Sequence, residues 1–347
     1  MLGKGVKGAG IVRVRIEDVA LAAGVSMKTV SRVLNGEPGV RPHIRERVNE
    51  VARSMNYRPD PSARRLAGKR SYLVGFVYDN PSANYLMELI GGVVEACEEL
   101  HYGMLVQPVS FKRPDFVQAI KALVDFSKLD GLILTPPLTD SDALLGALRE
   151  AGIAFSCVSP KDCDSNIGAT LDERQAVHEI VGLLVAHGHR RIGHIQGHPE
   201  HGASAWRLDG YRDALAEHGL PFDPALVVPG EFSFDSGVHA ARRLLDLPDP
   251  PTAIFAANDD MAAGVFSAVQ QRGLRIPQDI SICGFDDMPV SRQIFPPLTT
   301  VHQPARDMGR VVTIELIKSI RAPGSGTMVR MPHSMCLRGS VGPVPAS

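Results

Sequence analysis

Several things are scarce in this chain of 347 residues. Its five cysteines, Cys97, Cys157, Cys163, Cys283 and Cys336, are odd in number, scattered and never form a CxxC, which excludes a disulfide framework and a zinc ribbon. Aromatic residues make up only 5%, with a single tryptophan, Trp206. No apolar run approaches the ~18 residues of a membrane span, and the amino terminus lacks the apolar stretch of an export signal, so a cytoplasmic protein without a membrane partner is expected. Net charge is nearly absent too, at −1. That balance conceals a division: the first 70 residues hold 15 Lys and Arg against 6 Asp and Glu, the remainder 22 against 32. A basic module joined to an acidic one can hold phosphates at one end without making the whole chain adhere to nucleic acid.

What is present is most explicit between Ile16 and Asn35, IEDVALAAGVSMKTVSRVLN. Val19, Ala20, Ala23, Val30, Val33 and Leu34 recur at helical spacing, so two amphipathic segments can share a small core. Gly24 permits the tight turn between them, and Ser26 is placed to cap the second helix from about Met27. The outer face of that helix carries Met27, Lys28, Ser31, Arg32 and Asn35, groups suited to base edges and phosphates in a major groove, with Arg32 placed for a bidentate contact to guanine. Pro42 to Asn56 reads as a third helix, closed by Tyr57. The following PSARRLAGKRS is too polar and basic to fold alone and reads as a hinge that orders on its target. The expected organisation is a flexible basic tail over 1–14, a three-helix headpiece over 15–60, a hinge over 61–70 and an α/β region from 71 onward.

From Tyr72 short apolar runs alternate with helical stretches. YLVGFVY, GMLVQPV, DGLILTPP and AFSCVS read as buried parallel strands. After IGATLD, taken as a link, the rhythm resumes with RIGHIQG, LVVPGEF, TAIFAAND and DISICGFDD. Two doubly wound lobes are expected, an N-lobe of about 71–169 and 303–327 and a C-lobe of about 170–302 and 328–341, with MVRMPHSMCLRG forming one strand in the second. Such lobes bind ligands where the carboxyl ends of their strands face a common cleft. Polar residues at those ends are Asp79, Asn80, Ser159, Asn258, Asp259, Asp286, Asp287 and Gln303, a set suited to sugar hydroxyls. Asp259 and Asp287 serve equally well as caps of the helices that follow.

Enzyme signals are weak. GKGVKG near the amino terminus has the GxGxxG spacing but no strand before it. His187, His189, His194, His198 and His201 are dense, yet His194 falls within a buried strand and the others in its flanks, so no metal site is expected. No GxSxG or HExxH occurs, and neither a catalytic set nor a cofactor is expected.

The run Ile16 to Lys69, together with HGHRRIGHI, AANDDMAAG, GFDDMP and PPLTTVHQP, resembles the LacI/GalR family of bacterial repressors over about 325 residues, from Ile16 to about Gly339. The resemblance implies a helix-turn-helix headpiece followed by a two-lobed effector domain like a periplasmic binding protein. In such a protein Met27, Lys28 and Arg32 face the major groove and Leu66 is wedged into the minor groove, with Ala63 and Ala67 alongside. Ser26, Thr29, Ser31, Asn35 and Tyr57 complete the expected DNA-facing set. It further implies that Asn258, Asp286 and Gln303 contact the effector and that Phe232 stacks on it. Two departures stand out: Ser159 where many sugar-responsive members have Asp, and Ala205 where they carry an effector-binding Arg. His201, Ser204 or Trp206 are the expected substitutes, and Asp79 and Ser159 remain in the expected ligand set. The partners implied are operator DNA, a sugar-like effector and a second copy of the chain. With no heptad helix after Gly339, a dimer rather than a tetramer is expected.

Overall fold

A computed structural model describes residues 14–34, 39–55, 57 and 70–344. The chain divides into two compact units, Met1–Ser71 and Tyr72–Ser347. In the first, α1 (Ile16–Ala23), α2 (Met27–Leu34) and α3 (Pro42–Ser54) pack around Val19, Ala20, Ala23, Val30, Val33, Val48 and Ala52. Each boundary has a local cause. At the start of α1 the Asp18 carboxylate accepts from the Arg15 amide at 2.7 Å, with Glu17 and Asp18 placed where the helix dipole favours acids. Gly24 ends α1 at φ 62°, its N–H returning to the Ala20 and Leu21 carbonyls. Ser26 caps α2, its Oγ accepting from the Thr29 amide at 3.2 Å. Pro42 opens α3 at a position where its missing N–H costs nothing.

The second unit begins with β1 (Leu73–Tyr78), α4 (Ala83–Leu100), β2 (Gly103–Pro108), α5 (Phe116–Ser127), β3 (Gly131–Leu134), α6 (Asp142–Glu150), β4 (Phe155–Val158) and β5 (Gly168–Leu171). It continues through α7 (Glu173–Ala186), β6 (Ile192–Ile195), α8 (Gly202–Glu217), β7 (Val227–Val228), α9 (Phe234–Leu245), β8 (Ala253–Ala256) and α10 (Asp259–Gln271). It closes with β9 (Ser281–Asp286), α11 (Val290–Gln293), β10 (Thr299–His302), α12 (Ala305–Arg321), β11 (Met328–Met331) and β12 (Ser334–Cys336). One sheet runs β2-β1-β3-β4-β5-β11 and the other β7-β6-β8-β9-β10-β12. Both share one winding order, parallel throughout except where β12 pairs antiparallel to β10. Strands such as Gly131–Leu134 and Ala253–Ala256 are buried at every residue, as a sheet covered by helices on both faces requires.

Two expectations are corrected here. The link IGATLD contains β5, which pairs with β4 and β11 in the first sheet. Its four residues carry no alternation, and Gly168, at φ 142°, brings the strand so close to β4 that an added Cβ would sit 2.0 Å from the Cys157 carbonyl oxygen. The single terminal strand is in fact two, β11 in the first sheet and β12 in the second. Pro332 lies between them and removes a ladder donor where the chain changes sheets.

Candidate functional site

The shared winding order places a reversal of strand order, with the strands themselves parallel, between β1 and β3 in one sheet and between β6 and β8 in the other, the points at which helices leave in opposite directions and a crevice opens. The loops there face each other. A cleft of about 400 Å³, part of it open to solvent, is lined from the first sheet by Asn80, Ser82, Tyr85, Pro136 and Ser159. The second lobe supplies Glu173, His201, Ala203, Arg207, Phe232, Asn258 and Asp286, and Gln303 stands at the crossover. The backbone is strained at this rim. Ser159 (φ 43°), Phe232 (φ 57°), Asp286 (φ 108°) and Asp287 (φ 56°) all lie in the left-handed half of conformational space, at a cost of roughly 1–3 kcal/mol each that surrounding structure must offset.

Arg207 is the centre of the cleft's charge. Its Nε donates to Glu173 Oε2 at 2.8 Å, Nη1 donates to the Ala257 carbonyl, and Nη2 lies 3.6 Å from Asp286 Oδ1. The guanidinium covers the Phe285 ring at 3.8 Å from its centroid. Burial works against its charge, but Glu173 and Asp286 outweigh that and raise its pKa. Burial also pushes Asp286 up to about 7, Arg207 pulling it down while Glu173 and Asp260 add to the rise. His201 moves the other way: burial, then His198 and Arg207, bring it down to about 3, so the ring is neutral. Its ring lies 5.3 Å from that of Phe232. Tyr85 is raised by burial and by the neighbouring Asp286 and Glu173.

The Asp286 shift carries a stability consequence. A carboxyl raised in the folded state loses its proton earlier when unfolded, so it costs stability as pH climbs from the ordinary aspartate range through about 7. Asp286→Asn is therefore expected to raise the melting temperature at pH 8, on the order of 5 °C, with the gain gone by pH 4. Thermal melts at the two pH values check it; an equal gain at both would show that the carboxyl is ionised without penalty.

Two acidic residues tie the lobes together beside the cleft. Asp140 accepts from the amides of Lys161 (2.9 Å) in its own lobe and Gly202 (2.8 Å) in the other. Asp260, at the start of α10, accepts from Ser82 Oγ at 2.6 Å and Asn84 Nδ2 at 2.9 Å on α4. The two walls of the cleft are thus joined by hydrogen bonds whose two halves belong to different sheets.

Six of the expected ligand residues, Ser159, His201, Phe232, Asn258, Asp286 and Gln303, line this one cleft. Asn258 also caps α10, accepting from the Met261 amide at 2.9 Å while its Nδ2 donates to the Phe232 carbonyl. Asp79 and Trp206 do not line it. Asp79 turns back to accept from the Phe111 amide at 2.8 Å, and its neighbour Asn80 takes the cleft position. Trp206 is half-buried one residue before Arg207, and the ~100° helical step between successive residues points it away. Ser204 is also diverted, its Oγ donating to the His198 carbonyl at 2.6 Å. The missing arginine is a correction: Ala205 is exposed, and a guanidinium enters the cleft from Arg207, one turn beyond Ala203 on the same face of α8.

Asp259 and Asp287 hold loops in place. Asp259, fully buried, accepts from the Met288 amide and Thr300 Oγ1; Asp287 accepts from Arg338 at 2.6 Å and from Ser291. The histidine run disperses. His194 is stacked between Tyr211 and Phe255, and His189 bonds Thr252 and Ser281. Among the described residues no three His, Cys, Asp or Glu side chains gather as a metal site.

On the first unit, Val30 and Val33 of α2 turn into the core, leaving Met27, 50% exposed, and Lys28 outward. Thr29, Ser31 and Arg32 are partly exposed, and Ser26 and Thr29 hydroxyls share a hydrogen bond. The Arg32 guanidinium reaches across Gly39, where an added Cβ would sit 3.0 Å from Nη2. Tyr57 packs partly buried on the helical core. Asn35, Ala63, Leu66 and Ala67 lie outside the described residues.

Residues 15–60 match the family described as bacterial regulatory proteins, lacI family, and residues 181–341 match a periplasmic binding protein-like domain. Catabolite control protein A of Priestia megaterium is 32% identical over 333 residues, 95% of this chain and 99% of that protein. The solved complex of the transcriptional regulator CelR with cellobiose aligns at a TM-score of 0.72 and 30% identity, over 94% of this chain and 100% of that one. The lac repressor dimer bound to operator and the anti-inducer ONPF aligns at 0.73 and 28% identity, over 95% and 99%. No described helix is long and apolar enough to cross a membrane.

Proposed function

The chain belongs to the lacI family of bacterial regulatory proteins, and from that premise we propose that it represses carbohydrate-utilisation genes, its hold on operator DNA being set by a small polyol bound between the two lobes. The observation that carries this reading is the cleft itself. It sits at both switch points and is walled by buried polar residues, and two of these, Ser159 Oγ and Gln303 Oε1, have no hydrogen-bond partner among the described residues. Buried polar atoms without partners cost about 1–3 kcal/mol each; a hydroxyl-bearing ligand supplies what they lack.

Switching follows from the hydrogen bonds that Asp140 and Asp260 make across the cleft. A ligand touching both walls favours one lobe angle over another, and that difference in affinity is the whole of its leverage. A coupling of about 1–3 kcal/mol, or 5- to 150-fold in operator affinity, is ordinary for such a device. A binding role is supported by His201, which is neutral and packed on Phe232, and by Ser204, which donates to a backbone carbonyl rather than to an imidazole.

On the DNA side, α2 presents Met27, Lys28 and Arg32, and two copies are proposed to address two half-sites of a near-palindromic operator. Arg32→Ala is expected to weaken specific operator binding by about 1–3 kcal/mol while leaving binding to random duplex nearly unchanged. Fluorescence titration at fixed salt checks it, and equal losses on both duplexes would reduce Arg32 to a phosphate contact. The function as a whole is tested by titrating promoter fragments with and without a carbohydrate panel. Binding no tighter than to random duplex under every condition would overturn it.

A further inference from the structure

The cleft carries an uneven distribution of charge. Arg207 is already committed through Nε to Glu173, through Nη1 to the Ala257 carbonyl and across its flat face to Phe285. Its Nη2 stands 3.6 Å from Asp286 Oδ1, beyond ordinary hydrogen-bond distance. Asp286 is 5% exposed, and among the described residues its carboxylate meets Arg207 across that gap and no closer donor. Gln303 Oε1 and Ser159 Oγ, in the same walls, have no partner among the described residues.

With Asp286 ionised, Glu173 and Asp286 face one guanidinium, and burial of that second carboxylate, with Glu173 nearby, is what holds Asp286 up to about 7. The neutral His201 does not offset that second negative charge. A uronate or a sugar phosphate would bring a further anion to a site whose only lining cation is already matched. An ammonium group lets the Asp286 carboxyl ionise beside a matching charge and brings N–H donors to walls that carry unpartnered oxygens.

We propose that the effector is an amine-bearing polyol of hexosamine size, its ammonium group paired with Asp286 and its hydroxyls meeting the walls that carry Gln303 Oε1 and Ser159 Oγ. This rests on the cleft being the effector site. Phe232 supplies an apolar face for the ring, and the Glu173–Arg207 pair is what turns selection away from anions.

Calorimetry with glucosamine, galactosamine and mannosamine, each against its parent hexose, its N-acetyl derivative and the matching uronate, tests the proposal. At least one hexosamine should bind ten-fold or more tightly than all three of its counterparts. That preference should fall below three-fold in Asp286→Asn. It should fall likewise in Glu173→Gln, which changes the charge count without touching the proposed ammonium site. A hexose, N-acetyl sugar or uronate that binds more tightly than every amine overturns the proposal, as does the absence of binding by all three hexosamines. Should such a neutral or acidic sugar also shift operator affinity, the regulatory reading stands and only the amine is lost. Binding unaffected by Arg207→Met would instead place the ligand outside the cleft and overturn both.

Discussion

Arg207→Met is expected to abolish the effector response and to destabilise the Tyr72–Ser347 unit by about 3–5 kcal/mol. The magnitude follows from what is left behind rather than from what is removed. Glu173 and Asp286 stay buried beside a thioether, and each has lost its nearest positive charge. The Ala257 carbonyl loses its donor, and the Phe285 ring its cation. Glu173→Gln in the same chain should recover much of the loss, since replacing both members of a buried pair costs less than orphaning one. The measurement is favoured by composition: Trp206 is the only tryptophan and lies next to Arg207 on α8, so its fluorescence during urea unfolding reports on this unit alone. A loss below about 1 kcal/mol would mean that the two carboxyls simply take up protons when the guanidinium goes.

The two doubly wound lobes were legible because their strands are buried on both faces, so that apolar runs such as GLIL and AIFA stand out between helices. Strand β5 was hidden because GATL is short, begins with a glycine and ends against a helix cap. That miss had a consequence at the site. Once Gly168–Leu171 is a strand, Glu173 stands at its carboxyl end, where a ligand-facing residue belongs. Arg207 is visible in GASAWRLDGY, but the resemblance points two positions earlier, to Ala205. On a helix a shift of two turns a residue by ~200°, the difference between the exposed Ala205 and the buried guanidinium. Asp79 and Asn80 could not be separated by spacing, because which of two neighbours faces the cleft depends on the Phe111 loop that captures Asp79. The headpiece was easier to read: with only three short helices, every cap and core position must be written locally, from Gly24 to Ser26 to Pro42.

On the proposal that two copies pair through the face around Phe295, Phe295→Asp is expected to halve the molecular mass in solution and to weaken operator binding 100-fold or more. Phe295 follows α11 and is 83% exposed; what sets it apart from the lone exposed Phe126 is the apolar company it keeps. It borders an apolar groove with Phe234, Ala263, Phe266, Val290 and Ile294. A surface of this kind costs solubility unless it is covered, and we propose that the same surface of a second copy covers it, as a two-fold symmetric pair requires. An aspartate on each side would place like charges opposite each other in an apolar seam. The effect on DNA is indirect and large, because each headpiece of a dimer binds at the effective concentration set by its tethered partner, a gain of about 10²–10⁴ over separate binding. Sedimentation equilibrium reads the mass and operator titration reads the affinity, while Met27, Lys28 and Arg32 remain untouched. A variant that stays dimeric with unchanged operator affinity would remove this groove from the dimer interface; a monomeric variant with full affinity would show that one headpiece suffices.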